Sequence, residues 1–188
     1  MKPINFIGID IGTKNFSCAV VRKDEKAVTV SSLTKKDIGN GVEEWSTNML
    51  GVLNDYIDDG SFVAIEQQLG PNAKMSNVAH LLYGLIRGRV REVNFVSSIS
   101  KFNLFVKLNW IKKDEIGRGK KLARKKLAVK LCDDILNSVP CNNGVRDFFD
   151  ACKKKDDLGD SLIYAISLAD SYENFLENKN SKFIRIQI

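Results

Sequence analysis

Residues 4–23 read INFIGIDIGTKNFSCAVVRK, two apolar runs rich in β-branched residues and joined by a turn at residues 12–14. Such runs on either side of a glycine-containing turn are typical of β-strands, so we predict strands over residues 4–11 and 15–23. Residues 26–33 alternate well enough to predict a third strand. Three consecutive antiparallel strands are therefore expected to open the chain.

After these strands, helical and extended patterns alternate along the chain. In order they are a helix over residues 45–57, a strand over 62–66, a helix over 75–90, a strand over 92–96, a largely helical stretch over 100–137, a break at 140–144 and a helix over 158–172. With right-handed crossovers, this order predicts an α/β fold with one mixed five-stranded sheet in the order 3-2-1-4-5, flanked by helices. Strand 2 should run antiparallel to the other four strands.

The size and composition of the chain predict a single domain over residues 1–188. A chain of 188 residues with 44% hydrophobic residues can bury one core, whereas a second full domain would be cramped. No internal repeat or low-complexity tract divides the sequence.

Acidic residues lie on rigid elements far apart in the sequence. Asp10 lies in the first strand pattern, Glu66 ends the fourth, and Asp157 and Asp160 are i, i+3 neighbours at the start of the last helix. Spacing alone fits the i, i+4 pair of Asp156 and Asp160 equally well. Any one of these acids could simply cap a helix or end a strand, so only the joint pattern points to a site.

Carboxylates that converge on one point repel each other, and divalent cations ordinarily stabilise such a cluster. Hard oxygen ligands favour Mg²⁺ or Mn²⁺. In a two-metal phosphodiesterase one ion activates the attacking water, the other stabilises the leaving oxygen, and one carboxylate bridges both. Asp10 is the natural bridge, because the flanking Gly8 and Gly12 should let a phosphate approach.

Three segments carry a family resemblance: IDIGTKN at residues 9–15, IEQQ at 65–68 and KKDDLGDS at 154–161. They resemble the signature blocks of RuvC-like Holliday junction resolvases, in the branch with mitochondrial yeast and poxvirus members. The resemblance implies an RNase H-like fold, a homodimer and metal-dependent, paired, symmetric nicking of four-way DNA junctions. One departure is Gln67, where that branch commonly has arginine.

Carried over residue by residue, the resemblance assigns both the catalytic and the metal-binding role to four acids. They are Asp10, Glu66, Asp157 and Asp160, with two Mg²⁺ or Mn²⁺ ions per active site. The resemblance thereby favours Asp157 over Asp156.

Positive charge is concentrated in one part of the chain. Residues 107–130 contain ten Lys or Arg against Asp114 and Glu115, whereas the whole chain has a net charge of +6. Such a patch indicates a polyanion partner, although a basic run alone fits a solvated helix face equally well. The predicted DNA-binding residues are Lys14, Asn15, Lys74, Lys101, Lys120, Lys121, Arg124 and Lys125. The aromatic residues of the region, Phe102, Phe105 and Trp110, are expected in the core, with stacking of one of them on an unpaired base at the crossover as the alternative.

The helix predicted over residues 75–90 carries Gly84 and Gly88, which would let another backbone approach closely. In a water-soluble protein that partner is either the sheet or a second copy of the chain, and the family resemblance favours a dimer interface. Leu81 and Leu85 would add apolar surface to this interface.

Other features limit the location and cofactors. The cysteines, four in number, lack C-x-x-C spacing, which predicts reduced thiols of an intracellular protein. A strand beginning at residue 4 leaves no room for a signal or transit peptide, and no apolar run has the length of a membrane span. We expect a soluble protein of the host cytoplasm or a viral replication site, with a mitochondrial location disfavoured.

Three other functions fit parts of the sequence pattern. Residues 8–13 also resemble the phosphate loop of actin-like ATPases and sugar kinases, but those enzymes need two such domains, so no nucleotide cofactor is expected. A non-resolvase RNase H-like nuclease and a non-catalytic module that binds branched DNA stay open as alternatives. Acids near phosphate weaken binding unless a metal is present, which argues against the non-catalytic module.

Overall fold

A computed structural model of the chain describes residues 2–25, 27–68, 72–116 and 121–173. The strands are β1 (Ile4–Asp10), β2 (Phe16–Lys23), β3 (Val28–Lys36), β4 (Phe62–Glu66) and β5 (Glu92–Val96). The α-helices are α1 (Val42–Leu53), α2 (Ala73–Ile86), α3 (Asn103–Lys107), α4 (Lys121–Ser138), α5 (Val145–Ala151) and α6 (Lys155–Glu173). A short 3₁₀ helix (Ser100–Phe102) precedes α3.

The strands form one sheet in the order β3-β2-β1-β4-β5. Strand β2 runs antiparallel to β1 and β3, whereas β4 is parallel to both β1 and β5. The predicted sheet order and the antiparallel β2 are therefore confirmed.

Helices cover both faces of this sheet. Side chains of α1 and α2 pack with Ile7, Ile9 and Val63 on one face. Side chains of α4, α5 and α6 pack with Phe6 and Phe62 on the other, which we call the α6 face. Because successive side chains of a strand point to opposite faces, the even-numbered residues of β1 and β4 point toward α6.

Helix α6 approaches β1 closely at Gly8. A Cβ atom at this position would lie 2.0 Å from the Ser161 carbonyl oxygen and 2.5 Å from the Ala165 nitrogen, closer than packed atoms tolerate. The sequence had suggested that Gly8 leaves space for a phosphate; instead it lets the backbone of α6 lie against the strand. A second close approach, at Gly159, brings α6 to the Ala128 carbonyl of α4, 2.7 Å from the corresponding Cβ position.

The long helical stretch predicted over residues 100–137 is interrupted. Helix α3 ends at Lys107, and Asn109 adopts a left-handed conformation with φ of 60°, which asparagine tolerates better than most residues. Phe102 and Phe105 are fully buried, as expected. Helix α5, which follows Gly144 at φ of 81°, was not predicted because seven residues are too few to display a helical period.

Candidate active site

Asp10 and Glu66 are brought together by the pairing of β1 and β4. They follow the paired residues Ile9 and Ile65 and are the last residues of two parallel, hydrogen-bonded strands. Both are even-numbered, so both side chains point to the α6 face. The sheet thus places two carboxylates side by side at the edge where α6 begins.

Asp157 and Asp160 reach the same place from the first turns of α6. The Ser17 hydroxyl of β2 donates a hydrogen bond of 2.8 Å to the Asp157 carbonyl oxygen, which fixes the start of the helix on the sheet. The electrostatic field of a helix N-terminus also favours negative side chains there. The four predicted acids therefore come from three elements and face a common region.

Crowding of negative charge is greatest at Asp10. Burial raises the pKa of its carboxyl group well above the ordinary value, and the neighbouring Glu66, Asp160 and Asp157 raise it further. Of these three acids, Glu66 has the largest effect on the pKa of Asp10. In the absence of a cation, a proton on Asp10 relieves the repulsion between them.

Asp160 is paired with a lysine that the sequence had placed on the DNA-binding surface. The Nζ atom of Lys101 lies 2.7 Å from Asp160 Oδ2, and the Lys101 side chain is only 5% exposed. The same ammonium lies 5.3 Å from the centres of the Phe102 and Tyr164 rings. Burial raises the pKa of Asp160 to about 6, even though the attraction of Lys101 lowers it.

Asp157 is enclosed by two lysines. Its Oδ2 atom lies 3.0 Å from the Nζ atom of Lys35 on β3 and 2.8 Å from that of Lys154, which precedes α6. Lys154 also donates a hydrogen bond of 2.9 Å to Oδ1. Only 10% of the Asp157 side chain is exposed, so ammonium groups replace most of the water around its carboxylate.

Asp156, the alternative to Asp157, has a different partner. Its carboxylate accepts a hydrogen bond from Lys125 of α4, so it serves the contact between α4 and α6. Its pKa is lowered by Lys125 and Lys154, although its burial opposes that shift. Asp157, and not Asp156, is among the acids that raise the pKa of Asp10, which favours Asp157 as the acid of the site.

The residues fit a hard divalent cation. Three buried oxygens of the site, Asp157 Oδ2, Asp160 Oδ1 and the Tyr164 hydroxyl, make no hydrogen bond in the described parts of the chain, although two ammonium groups lie near Asp157 Oδ2. The available donors are carboxylate and hydroxyl oxygens, which Mg²⁺ and Mn²⁺ prefer. Among the described residues, no group of three or more Asp, Glu, His or Cys side chains is arranged around a common point as metal ligands would be. Lysines engage two of the four carboxylates instead.

Two residues of this site, Tyr164 and Lys35, were not predicted from the sequence. Tyr164 follows Asp160 by four positions on α6 and therefore shares its helix face, a signal that was available. Burial and the surrounding carboxylates raise the pKa of its hydroxyl group. Lys35 has no comparable signal in the sequence. It lies at the polar end of a strand, far along the chain from every acidic motif.

Three of the predicted DNA-binding residues lie near the loops that follow β1 and β4. Lys14 is exposed and pairs with Asp37 at 3.0 Å, and Asn15 is half-buried in the same turn. Lys74 is exposed in the first turn of α2, with its Nζ atom 5.6 Å from the centre of the Trp45 ring.

The basic segment contributes to the start of α4. Lys121 is exposed, Arg124 is half-buried and Lys125 holds Asp156, whereas Lys120 lies outside the described residues. The exposed Leu122 stands among these cations. The patch therefore adjoins the acidic helix through the contact between Lys125 and Asp156.

The proposed dimer residues lie on and beyond α2. Gly84 is exposed on the helix, and Leu81 and Leu85 are half-buried beside it. Gly88 is not on the helix, as the sequence had suggested, because α2 ends at Ile86. No described atom lies within 4 Å of the Cβ position of Gly84, so sheet packing within the chain does not explain this glycine.

Two further properties bear on location and reactivity. Cys18 and Cys132 are buried, and burial raises the pKa of the Cys18 thiol to about 12. Among the described residues, no helix is both long enough and apolar enough to cross a lipid bilayer.

Comparison with known proteins places these features in a family. The chain is similar to a fowlpox virus resolvase solved with Holliday junction DNA, at 17% identity over 91% of this chain and 99% of that one, with a TM-score of 0.64. The yeast mitochondrial Holliday junction resolvase Ydc2 matches at 14% identity over 93% of this chain and 84% of that one, with a TM-score of 0.57. RuvC of T. thermophilus, in complex with a Holliday junction substrate, matches at 15% identity over 94% and 98%, with a TM-score of 0.53.

These likenesses confirm the RNase H-like fold, with a mixed five-stranded sheet, that the resemblance implied. A search of curated proteins finds no match. The profile of the family described as Poxvirus A22 protein matches residues 6–171, which is most of the chain. The resemblance to RuvC-like resolvases of the poxvirus branch is thus confirmed, and the chain belongs to the poxvirus A22 protein family.

Proposed function

We propose that this chain is a Holliday junction resolvase, a structure-selective endonuclease that makes paired symmetric nicks in four-way DNA. One observation carries the proposal: β1, β4 and α6 bring their acids to one edge of the sheet in a member of the poxvirus A22 family. Two relatives of the same fold were solved with Holliday junction DNA, which supports branched DNA as the substrate.

We further infer two divalent cations, Mg²⁺ or Mn²⁺, held by Asp10, Glu66, Asp157 and Asp160. When bound, such a pair supplies an activated water and stabilises the leaving oxygen of the scissile phosphodiester. Asp10 is assigned the bridging position, because each of the other three acids raises the pKa of its carboxyl group. The buried Lys101 keeps Asp160 oriented by its contact at 2.7 Å, and α6 supports Asp157 and Asp160 as one rigid unit.

The purified chain should be tested on a four-way junction, a linear duplex and an RNA/DNA hybrid, with Mg²⁺ and with EDTA. We expect Mg²⁺-dependent, symmetric nicking of the junction only. Cutting of the hybrid or the duplex with equal efficiency would favour the non-resolvase nuclease. Junction binding without any cutting would favour the non-catalytic module.

The DNA-binding surface is proposed to combine the loop after β1 with the start of α4. Lys14, Asn15, Lys74, Lys120, Lys121, Arg124 and Lys125 would contact phosphates, and Lys101 would act from inside the site. Replacing Lys121 and Arg124 with alanine should weaken junction binding and reduce its salt dependence by about 0.9 in log–log slope for each lost phosphate contact. An unchanged slope would reduce the patch to a solvated helix face.

We propose a homodimer that joins through α2, because a two-fold symmetric junction needs two equivalent sites for paired cuts. Gly84 leaves open space beside Leu81 and Leu85 for a second helix. Gly84→Leu should convert the dimer into monomers in analytical ultracentrifugation while preserving the fold. A dimer that persists would move the interface to another surface.

The proposed place of action is inside the cell, in the host cytoplasm or at a viral replication site. Imaging of the tagged protein in infected cells would test it, and accumulation in mitochondria would contradict it.

A further inference from the structure

Lys35 lies against the carboxylate of Asp157, one of the acids proposed to bind a divalent cation. Its Nζ atom forms an ion pair with Asp157 Oδ2 at 3.0 Å and donates a hydrogen bond of 3.0 Å to the Lys154 carbonyl oxygen. Since Lys154 contacts both oxygens of the same carboxylate, at 2.9 and 2.8 Å, Asp157 has no oxygen without an ammonium neighbour. A metal ion that binds Asp157 would therefore lie within a few Å of these ammonium groups and repel them.

The position of Lys35 is built into the sheet. It is paired with Ser17 in the β2–β3 register, and the Ser17 hydroxyl donates to the backbone of Asp157. Cross-strand partners point to the same face, so Lys35 points toward α6 by construction. Its side chain is 14% exposed, unlike that of an ordinary surface lysine.

Displacing this ammonium has an energetic consequence. A partly buried ammonium without a partner is costly, and a divalent ion at Asp157 would repel it as well. The ammonium therefore moves readily only when another anion receives it. Under the proposed function, the anion that reaches the site is a phosphate of the DNA strand to be cut.

We propose that Lys35 is a positioning residue that passes between Asp157 and a DNA phosphate, so that metal ions bind well only when the junction is present. The proposal rests on the metal site of the proposed function. In the free protein, Lys35 neutralises part of the negative charge of the acidic site and weakens metal binding there. Coupling of this kind is reciprocal, so metal must raise junction affinity by the same factor.

The first test measures Mn²⁺ binding to the DNA-free protein by the EPR signal of free Mn²⁺. Lys35→Met should bind Mn²⁺ about tenfold more tightly than the wild type, the effect expected when one unit charge a few Å from a divalent ion is removed. Lys35→Arg should restore weak binding. Lys36→Met is the matched control, because exposed Lys36 pairs with Phe16 of the opposite face and should leave the affinity unchanged.

Each outcome has a distinct meaning. Weaker or unchanged Mn²⁺ binding by Lys35→Met, with an intact melting transition, would overturn the exchange while leaving the metal site in place. Absence of measurable Mn²⁺ binding by both the wild type and Lys35→Met would instead overturn the metal site of the proposed function, and the exchange with it.

A second measurement separates exchange from simple repulsion. Junction affinity is compared with and without Ca²⁺, used in place of Mg²⁺ to limit cleavage. Addition of Ca²⁺ should strengthen junction binding by the wild type and by Lys36→Met, but much less by Lys35→Met. An equal gain in all three proteins would show that Lys35 does not couple the two ligands.

Discussion

The acidic site has two halves that balance their negative charge in different ways. On the strand half, Asp10 and Glu66 lie side by side, and a raised pKa lets a proton on Asp10 relieve the repulsion. On the helix half, Asp157 and Asp160 are ion-paired with Lys35, Lys154 and Lys101, which come from three other parts of the chain. The strand half thus needs a metal to become fully ionised, whereas the helix half carries its own counterions.

The largest expected effect concerns the strand half. Asp10→Asn should lower Mg²⁺-dependent junction cleavage by about 10³-fold or more, because loss of the bridging carboxylate removes several kcal/mol of metal-derived stabilisation. Junction binding in EDTA should persist, since the basic surface is intact. Gel-based cleavage and binding assays measure the two properties separately.

Asp156→Asn is the control for this variant. Asp156 pairs with Lys125 and not with the acids of the site, so cleavage should change only a few-fold. If Asp10→Asn cut at near the wild-type rate, or if Asp156→Asn were equally inactive, the assignment of the acids would be wrong.

Both halves of the site depend on the close contact between β1 and α6 at Gly8. A substitution at Gly8 tests this dependence. Gly8→Ala places a methyl group 2.0 Å from the backbone of α6, so the helix must shift and the free energy of unfolding should fall by about 2–4 kcal/mol. Gly51→Ala is the control, because Gly51 lies in α1 with open space around its Cβ position and should gain about 0.5–1 kcal/mol. Urea unfolding monitored by circular dichroism gives both values.

Opposite changes in stability would distinguish the two halves most simply. In EDTA, Asp10→Asn should stabilise the protein by about 1–3 kcal/mol, because it removes a carboxyl group whose ionisation is disfavoured. Asp157→Asn should destabilise it by a similar amount, since Lys35 and Lys154 lose their anionic partner. Melting temperatures that shift in the same direction would contradict the comparison.

A smaller effect is expected from pH. The pKa of Asp160 rises from 3.8 to about 6 on folding, and that of Asp10 also rises, so the folded protein holds more protons than the unfolded chain in this window. The contribution of these groups to stability without metal therefore falls as pH rises through it. Because divalent ions must displace those protons, the gain in melting temperature from Mg²⁺ should be larger at about pH 7 than at about pH 5. An equal gain at both values would show that no proton is released.

The sequence predicted the strand half of the site more completely than the helix half. Asp10 and Glu66 end apolar runs of the strand period, and the order of elements dictates that β1 and β4 are neighbours, so their meeting follows from local signals. The choice between Asp156 and Asp157 needed the family resemblance. The structure adds a physical reason, because Asp157 is among the acids that raise the pKa of Asp10, whereas Asp156 contacts Lys125 of α4.

The counterions could not be predicted for a different reason. Lys35 meets Asp157 only because β3 pairs with β2 and α6 crosses the same face, a contact between residues far apart in the chain. Lys101 was expected on the DNA surface, yet the turn after β5 directs it inward to Asp160. Lysines carry no periodic signal, so their partners depend on the tertiary structure alone.

The central claim is that the two halves together hold divalent cations for phosphodiester cleavage. Anomalous diffraction from crystals of the protein with junction DNA, soaked in Mn²⁺, tests it most directly, because it locates the ions independently of activity. The account predicts manganese peaks among Asp10, Glu66, Asp157 and Asp160, with at least one lysine ammonium moved away from Asp157. A fully soaked crystal without a peak at these carboxylates, or with Mn²⁺ only elsewhere on the protein, would contradict it.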